Sequence, residues 1–222
     1  MGGTYLDFLR GKIQVAPKTG FEVGPEQVNA ALKPHQRDAV IWACRGGRRA
    51  LFESFGLGKT VQELEWCRLT AAHEGGQALI VLPLGVRQEF SRDAERLLGM
   101  ASPPYVRTMK EAAECREAPI LMTNYERVRD GDMDPAAFCA AALDEASVLR
   151  SFGSKTYQTF LDKFRGVKYK LVCTATPSPN KYKELIHYAV PGGDGHRAGP
   201  DPVLPAGQHQ GQQPDAVPPQ RG

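Results

Sequence analysis

The sequence predicts an α/β domain with a doubly wound parallel sheet. Several short runs are continuously apolar, as expected of strands covered on both faces, and segments with helical periodicity lie between them. A glycine-rich turn separates the first predicted strand from the helix that follows it. With 222 residues and 41% hydrophobic content, the chain has room for one domain of ordinary size with a buried core.

The first elements are a helix, a strand and a second helix. Residues 1–32 form a turn-rich lead-in. A proline at the first helical position and apolar residues at helical spacing then predict a helix over 34–45. After a Gly-Gly break, an apolar run predicts a strand over 49–53, and renewed helical spacing predicts a helix over 59–72. The order strand, glycine loop, helix is therefore expected here.

Four further apolar runs predict the remaining strands, at 78–82, 120–122, 140–143 and 170–173. Residues 86–98 and 182–189 have helical character. Because strands alternate with helices, we expect residues 33–190 to form the single doubly wound domain.

Charge and cysteine usage narrow the class of protein. The net charge of +3 describes a mildly basic chain, which permits contact with nucleic acid phosphates without indicating a polycationic binder. The five cysteines are far apart and lack the close spacing of zinc ligands, which favours reduced thiols in a cytosolic protein.

No run approaches the roughly 20 apolar residues of a membrane span. Asp7 and Lys12 interrupt the N-terminus where a secretory signal needs apolar residues. We expect a cytoplasmic protein.

The glycine loop has the composition of a phosphate-binding turn. Backbone N–H groups at Gly56, Gly58 and the following helix N-terminus can point at phosphate oxygens. Lys59 supplies a positive charge near the β and γ phosphates, and Thr60 offers a hydroxyl to Mg²⁺. Glu53 stands where the general pattern has its first glycine. The alternative is a glycine turn that only caps a helix.

Two other polar segments follow predicted strands. Asp144 and Glu145 come directly after an apolar run, at the edge where ligands of open α/β sheets bind. There Asp144 can hold Mg²⁺ and Glu145 can orient the attacking water, although many Asp-Glu pairs are only helix N-terminal charges. Thr174 and Thr176 follow another strand, and their hydroxyls can hydrogen-bond the acidic pair and couple phosphate state to a nucleic acid surface. Taken alone, this segment is an ordinary strand-to-turn transition.

These motifs, in this order, resemble the superfamily 2 helicase-like ATPases, specifically the Swi/Snf-like branch and its bacteriophage relatives, which are related to DEAD/DEAH-box proteins. The resemblance covers residues 32 to about 190. The matching segments are Leu32-Lys33-Pro34-His35-Gln36 (adenine motif), Phe55-Gly56-Leu57-Gly58-Lys59-Thr60 (motif I), Leu82-Pro83-Leu84-Gly85-Val86 (Ia), Thr123-Asn124-Tyr125-Glu126 (Ib), Asp144-Glu145-Ala146-Ser147 (II) and Thr174-Ala175-Thr176-Pro177 (III).

The resemblance implies a P-loop NTPase of RecA-like fold, represented by its N-terminal lobe, that uses ATP and Mg²⁺ and acts on DNA in a bacterial or phage-infected cell. Gln36 would read the adenine edge, and Pro83, Thr123 and Asn124 would touch the sugar-phosphate track. An acidic residue commonly stands at the position of Glu53 in that branch.

Two departures from the family affect the expected activity. Ser147 replaces the usual final His or Asp of motif II. Motifs IV to VI are missing, including the arginine finger, which contributes on the order of 10³ to 10⁵ in rate. We therefore expect an ATP-binding lobe of a DNA helicase or translocase, truncated before the second lobe and impaired in hydrolysis.

Two other functions fit parts of the sequence. One is a non-catalytic nucleotide- or nucleic-acid-binding module that acts with a partner chain. Its phosphate contacts would come from scattered arginines, which are more often solvated surface: Arg45, Arg48, Arg49, Arg87, Arg92, Arg127 and Arg129. The other is a small P-loop kinase, which fits less well because the sequence shows no lid-like arginine cluster.

Residues 191–222 differ sharply in composition from the domain. They contain seven Pro, seven Gly and five Gln, and no aromatic residue, so we expect a disordered tail. One admissible set of codons for 190–222, read one nucleotide later, encodes a stop-free product with the composition of a folded chain. We therefore hypothesise a frameshift, the alternative being a genuine proline-rich linker.

The nucleotide sequence of the gene from the codon for Ala189 onward tests this hypothesis. We expect a second frame that continues through a coherent α/β lobe carrying a motif VI arginine. If every other frame is broken by stops, the tail is a real linker.

Overall fold

The computed structural model describes residues 18–151, 160, 162–175 and 201–203. Its helices are α1 (Pro34–Gly46), α2 (Lys59–Glu74), α3 (Arg87–Arg96), α4 (Met109–Glu114) and α5 (Tyr125–Asp130). Its strands are β1 (Arg48–Phe52), β2 (Ala78–Leu82), β3 (Ile120–Asn124), β4 (Ala140–Leu143), β5 (Tyr169–Thr174) and β6 (Asp201–Val203). Short 3₁₀ turns occupy Pro25–Gln27, Leu84–Val86, Pro135–Ala137 and Ala146–Ser151.

The strands form one parallel sheet in the order β3-β2-β4-β5-β1-β6. The predicted doubly wound parallel sheet is confirmed. Strand β5 is inserted between β4 and β1, with Leu143 opposite Val172 and Phe52 opposite Thr174. This order places the carboxyl ends of β1, β5 and β4 side by side at one edge of the sheet, where polar loops follow each strand.

Helices α1, α2 and α3 cover one face of the sheet. Their apolar side chains pack with inward residues of the central strands, including Leu51, Ile80 and Leu171. Helix α2 is the centre of this layer, because it contacts α1, α3 and strands β2 to β5. Its side chains Leu64 and Trp66 are almost completely buried. Strands β1 to β5 are buried on this face, as parallel sheets require.

A second layer covers the opposite face. It contains α4, α5 and an aromatic pair, Phe160 and Phe164, whose rings stack at 4.8 Å. These residues pack against Ala50, Leu79 and Val172 from the sheet. The domain is therefore a three-layer α/β/α sandwich with a separate apolar core on each side of the sheet.

The predicted elements lie close to the observed ones. Helix α1 and strands β2 and β4 have nearly the predicted bounds, whereas the helix predicted over 86–98 begins as a 3₁₀ turn and becomes α-helical only from Arg87 to Arg96. The short helices α4 and α5 were not predicted, since each has six residues and too few turns to show a period.

The predicted helix over 182–189 and most of the expected disordered tail lie outside the described residues. Within residues 191–222, Asp201–Val203 form a short strand that pairs with β1. Pro202 is compatible with this position because it lies on an edge strand, where one N–H needs no partner strand. Within the described part of the chain, no helix is long and apolar enough to cross a membrane.

The burial of α2 predicts a large loss of stability for Leu64→Ala. Leu64 is fully buried, so truncation leaves a cavity and should lower the free energy of unfolding by about 2 to 5 kcal/mol. Urea denaturation measures this. Leu97→Ala is the matched control, because Leu97 is 53% exposed and its truncation should change stability by less than about 0.5 kcal/mol. Equal losses in the two variants would contradict the assigned position of α2.

Candidate functional site

The loop between β1 and α2, residues 53–58, turns sharply with the help of two glycines. Gly56 and Gly58 have φ values of 83° and 81°, a left-handed conformation that side-chain-bearing residues rarely adopt. A Cβ at Gly58 would also lie 2.2 Å from Nε2 of Gln36. Both the backbone and the packing therefore require glycine at 58. We call residues 53–58 the glycine loop.

Lys59 begins α2 and folds back over the glycine loop. Its Nζ donates to the backbone carbonyls of Glu53 at 2.9 Å and Ser54 at 3.3 Å, and lies 5.3 Å from the centre of the Phe55 ring. Thr60 follows in the first turn of α2 and is partly exposed. The cation, a hydroxyl and the free N–H groups of a 16-residue helix thus meet at the same end of α2.

Two buried side chains hold the base of this loop. Glu53 is 6% exposed, and its Oε2 accepts a 2.8 Å hydrogen bond from Nε2 of Gln62, which is fully buried one turn into α2. Because a buried carboxylate needs a partner, this bond fixes the end of β1 to α2. It also gives Glu53 a structural reason to stand where the general phosphate-loop pattern has glycine.

Gln36 joins helix α1 to the glycine loop. Its Oε1 accepts from the backbone N–H of Lys33 at 2.9 Å, and its Nε2 donates to the carbonyl of Leu57 at 2.9 Å. The side chain is 7% exposed. The amide is therefore fixed in orientation at the start of α1, directly beside the loop that carries Lys59.

The acidic pair lies at the carboxyl end of β4. The N–H of Asp144 donates to the carbonyl of Val81 at 2.9 Å, which continues the β2–β4 pairing by one residue. The carbonyl of Asp144 accepts a 2.6 Å hydrogen bond from the hydroxyl of Tyr125, whose ring is buried and stacks on Phe160 at 5.7 Å. The backbone of Asp144 is thus held from both sides.

Glu145 is the one non-glycine residue with positive φ among the described residues, at 47°. Its Oε1 accepts hydrogen bonds from the hydroxyl of Ser147 and, at 3.1 Å, from the hydroxyl of Thr174 at the end of β5. The expected contact between the threonine segment and the acidic pair is therefore present at Thr174. Thr176, the second expected coupling residue, lies outside the described residues. The left-handed backbone of Glu145 costs free energy, and the hydrogen bonds of its side chain help to hold it in this conformation.

The electrostatics of the pocket reflect this clustering of carboxylates. Burial, and then the nearby Glu145, raise the pKa of Asp144 to about 6, an effect that Lys59 opposes. Behind the pair lies Glu63 of α2, whose two side-chain oxygens are buried. Burial, and then Asp144, raise the pKa of Glu63 well above its ordinary value, and the neighbouring Cys173 and Lys59 oppose this effect.

The edge formed by β2 and β3 carries the residues expected to touch nucleic acid. Pro83 is partly exposed. Thr123 is fully buried and Asn124 is 8% exposed, so their side chains offer little surface to a ligand. The hydroxyl of Tyr105 donates to Oδ1 of Asn124 at 3.0 Å, and the guanidinium of Arg87 lies over the Tyr105 ring at 5.1 Å.

Most of the arginines considered as phosphate ligands are engaged within the domain. Side-chain ion pairs join four of them to carboxylates: Arg45 to Glu22, Arg92 to Asp93, Arg127 to Asp132, and Arg129 to Asp130. Arg49 is 4% exposed and lies over the Trp42 ring at 5.2 Å. Of this set, Arg87 is the one that lies beside the edge carrying Pro83 and Asn124.

Three residues of this site were not assigned a role from the sequence. Tyr125 was quoted as part of a motif, but its contact with Asp144 depends on the packing of α5 against β3. Gln62 and Glu63 stand two positions and one position before the apolar Leu64, and polar residues of this type are typical of solvated helix positions. The signal that could have identified Gln62 and Glu63 is their position in the first turns of a buried helix that directly follows the glycine loop.

The arrangement brings one cation, three hydroxyl groups and two carboxylates to the same edge of the sheet: Lys59, Thr60, Ser147, Thr174, Asp144 and Glu145. Such a set can bind an anionic group at the glycine loop and a hard cation at Asp144, since carboxylate and hydroxyl oxygens are the ligands that Mg²⁺ prefers. The described residues contain no group of three or more His, Cys, Asp or Glu side chains arranged around a metal position. A cation here would therefore take some of its ligands from the bound anion and from water.

Solved structures with this fold include an ATPase core and two helicases. The SWI2/SNF2 ATPase core of Sulfolobus solfataricus, in complex with dsDNA, has a TM-score of 0.61 and 19% identity over 75% of this chain and 36% of that chain. The UvsW helicase of bacteriophage T4 has a TM-score of 0.61 and 14% identity over 91% and 68%. The Hef helicase domain of Pyrococcus furiosus has a TM-score of 0.56 and 17% identity over 70% and 35%.

These similarities establish the fold. The chain folds like part of the SWI2/SNF2 ATPase core and of the UvsW and Hef helicase structures. It spans about a third of the length of the SWI2/SNF2 and Hef chains. No protein-family model matches the sequence, and no curated protein matches it either.

The raised pKa of Asp144 predicts a pH-dependent stability difference between the protein and Asp144→Asn. An acid with a higher pKa in the folded state binds protons more tightly when folded, so its contribution to stability is present below about pH 4 and is lost as the pH rises through about 6. The variant has no such loss. Urea denaturation at several pH values should show the protein losing stability relative to Asp144→Asn between about pH 4 and 6.

The control is Asp38→Asn, which removes the same charge from a side chain that is 69% exposed. Its stability relative to the protein should stay nearly constant over that range. If Asp144→Asn and Asp38→Asn gave parallel curves, the assigned environment of Asp144 would be wrong.

Proposed function

We propose that this domain is the ATP-binding lobe of an ATP-dependent DNA helicase or translocase. The observation that carries the proposal is the sheet order, which places the glycine loop after β1, Thr174 after β5 and the acidic pair after β4 at adjacent positions of one edge. A nucleoside triphosphate bound at the glycine loop would therefore face the carboxylates of Asp144 and Glu145. The helicase-like fold is consistent with this use of the site.

The phosphates would be held by the glycine loop and the N-terminus of α2. Positive φ values at Gly56 and Gly58 give the loop a tight turn, whose backbone N–H groups would bind phosphate oxygens, and the helix N-terminus adds a partial positive charge. Lys59 now donates to carbonyls of the same loop. Exchanging these neutral acceptors for phosphate oxygens would give charge-assisted bonds, which are roughly twice as strong.

The adenine base would be read by Gln36. Each atom of its amide already makes one hydrogen bond, to Lys33 and to Leu57. A side-chain amide has two donor hydrogens and two acceptor lone pairs, so one of each remains. That remaining pair is complementary to the N7 acceptor and N6 donor of adenine, and it mismatches the corresponding O6 acceptor of guanine.

Mg²⁺ would be held by Asp144 and Thr60, where it would neutralise charge on the phosphates. Glu145 would orient the attacking water, and the hydroxyls of Ser147 and Thr174 fix one of its carboxylate oxygens for that task. Because Thr174 is the last residue of β5, movement of this strand end would shift the carboxylate of Glu145 through their hydrogen bond. This contact is our physical basis for coupling hydrolysis to the nucleic acid surface.

Hydrolysis by this chain alone should be slow. Helicase-like sites are completed by a second lobe, and an arginine from it contributes on the order of 10³ to 10⁵ in rate. The chain spans about a third of two of the similar structures. We infer that the groups completing the site come from another lobe or another chain.

The nucleic acid would lie across the edge formed by β2 and β3. Pro83 and the exposed Leu84 are at the end of β2, and Arg87 and Tyr105 lie close by. The similar SWI2/SNF2 core is a dsDNA complex, which favours DNA as the partner. A non-catalytic nucleotide-binding module that acts with a partner chain is the second candidate, favoured by the same partial coverage of the similar structures.

Lys59→Ala should weaken binding of Mg·ATP by about 10- to 100-fold, because it removes the cation facing the phosphates. Titration of the full chain with a fluorescent ATP analogue measures this. Lys110→Ala is the matched control, since Lys110 is exposed on α4, away from the glycine loop. Equal affinity in the two variants would refute the phosphate site.

Phosphate release with and without DNA separates the two candidates. Weak turnover that DNA stimulates and Lys59→Ala abolishes supports a motor lobe. Binding of ATP without turnover in either condition supports the module, and phosphate transfer to a small acceptor would overturn both.

A further inference from the structure

A buried ion pair on the back of α2 ties the segment that carries Gln36 to the helix that carries Lys59. Glu65 is fully buried, and Arg68 donates to both of its oxygens, from Nε at 2.8 Å and from Nη2 at 2.7 Å. Arg68 is 32% exposed. A two-bond pair of this kind fixes the orientation of both side chains.

The pair also binds the chain that precedes α1. Oε1 of Glu65 accepts from the backbone N–H of Asn29 at 2.7 Å, and Nη2 of Arg68 donates to the carbonyl of Gln27 at 2.8 Å. The side chain of Asn29 reaches further, because its Nδ2 donates to the carbonyl of Leu98 after α3 at 2.8 Å. We call Asn29, Glu65 and Arg68 the α2 clamp.

Between the clamp and Gln36 the chain has little freedom. The N–H of Ala31 donates to Oδ1 of Asn29, and the N–H of Leu32 donates to its carbonyl, which forms a tight turn. The side chain of Leu32 is buried, and Lys33 is held by Gln36. A displacement of Asn29 would therefore also displace the start of α1.

The contacts close a circuit. Gln36 is bonded to Leu57 in the glycine loop, that loop leads into α2, and α2 returns through Glu65 to Asn29. We propose that the α2 clamp positions Gln36, so that discrimination of adenine from guanine nucleotides depends on Asn29, Glu65 and Arg68, which are remote from the base. This inference rests on the proposed nucleotide site and adds its positioning residues.

The central experiment uses the double variant Glu65→Met/Arg68→Met in the full chain. Replacing both members of a buried pair by apolar residues is often neutral for stability, whereas removing one leaves a buried charge. The double variant should therefore fold while losing its bonds to Asn29 and Gln27. A matched control is Arg107→Met/Glu111→Met, which removes an ion pair at the surface, between the residue before the N-cap of α4 and the first turn of that helix, and leaves the net charge equally unchanged.

The measurement is the dissociation constant for fluorescent ATP and GTP analogues. We expect the ratio of the GTP to the ATP constant to fall about tenfold in the double variant, the equivalent of about one or two lost hydrogen bonds. The GTP constant should stay within about twofold, because the phosphates are held by the glycine loop. The control should keep the ratio of the unaltered protein.

Asn29→Ala provides an independent variant in case the double variant does not fold, which circular dichroism reveals. It removes a partly exposed side chain and its bond to Leu98, and the ratio should fall about threefold. A folded clamp variant with an unchanged ratio, or one that weakens both nucleotides equally, overturns the clamp alone. If the unaltered protein binds neither nucleotide, the proposed function fails, and equal binding of both overturns base reading by Gln36.

Discussion

Helix α2 is buried on nearly all sides, and two of the polar groups that it carries into the interior are paired with neighbouring segments. Gln62 and Glu65 are both fully buried. Since a buried charge or amide without a partner costs several kcal/mol, the surrounding chain is arranged around them. Glu53 pairs with Gln62 at the end of β1, and the segment before α1 pairs with Glu65. The helix that would bind phosphate is thus the element that organises its own site.

The second organising feature is the insertion of β5 between β4 and β1. It places the hydroxyl of Thr174 between the acidic pair and the glycine loop, and that hydroxyl bonds to Glu145. The hydroxyl of Ser147 bonds to the same oxygen. Glu145 is held in a left-handed conformation by its surroundings, as is common for residues at functional sites.

Parts of the candidate site could be predicted because their signals are local. The glycines, Lys59 and Thr60 are adjacent in sequence, and Asp144 follows an apolar run that ends at Leu143. The roles of Tyr125 and Glu63 could not be predicted, because they arise from contacts across the sheet and between layers. The burial of Thr123 was missed for a related reason. Strand β3 continues two residues beyond the predicted end and carries that side chain into the interior.

The sequence by itself determined the α/β class, the positions of the main strands and the glycine loop, since apolar runs, helical periods and glycine turns are properties of neighbouring residues. The tertiary structure decided which strands are neighbours, and with that the meeting of Lys59, Asp144 and Thr174 at one edge. It also raised the pKa of Asp144 through burial and joined Asn29 to Glu65 across 36 positions. These outcomes depend on desolvation and on pairing between distant segments, for which periodicity carries no information.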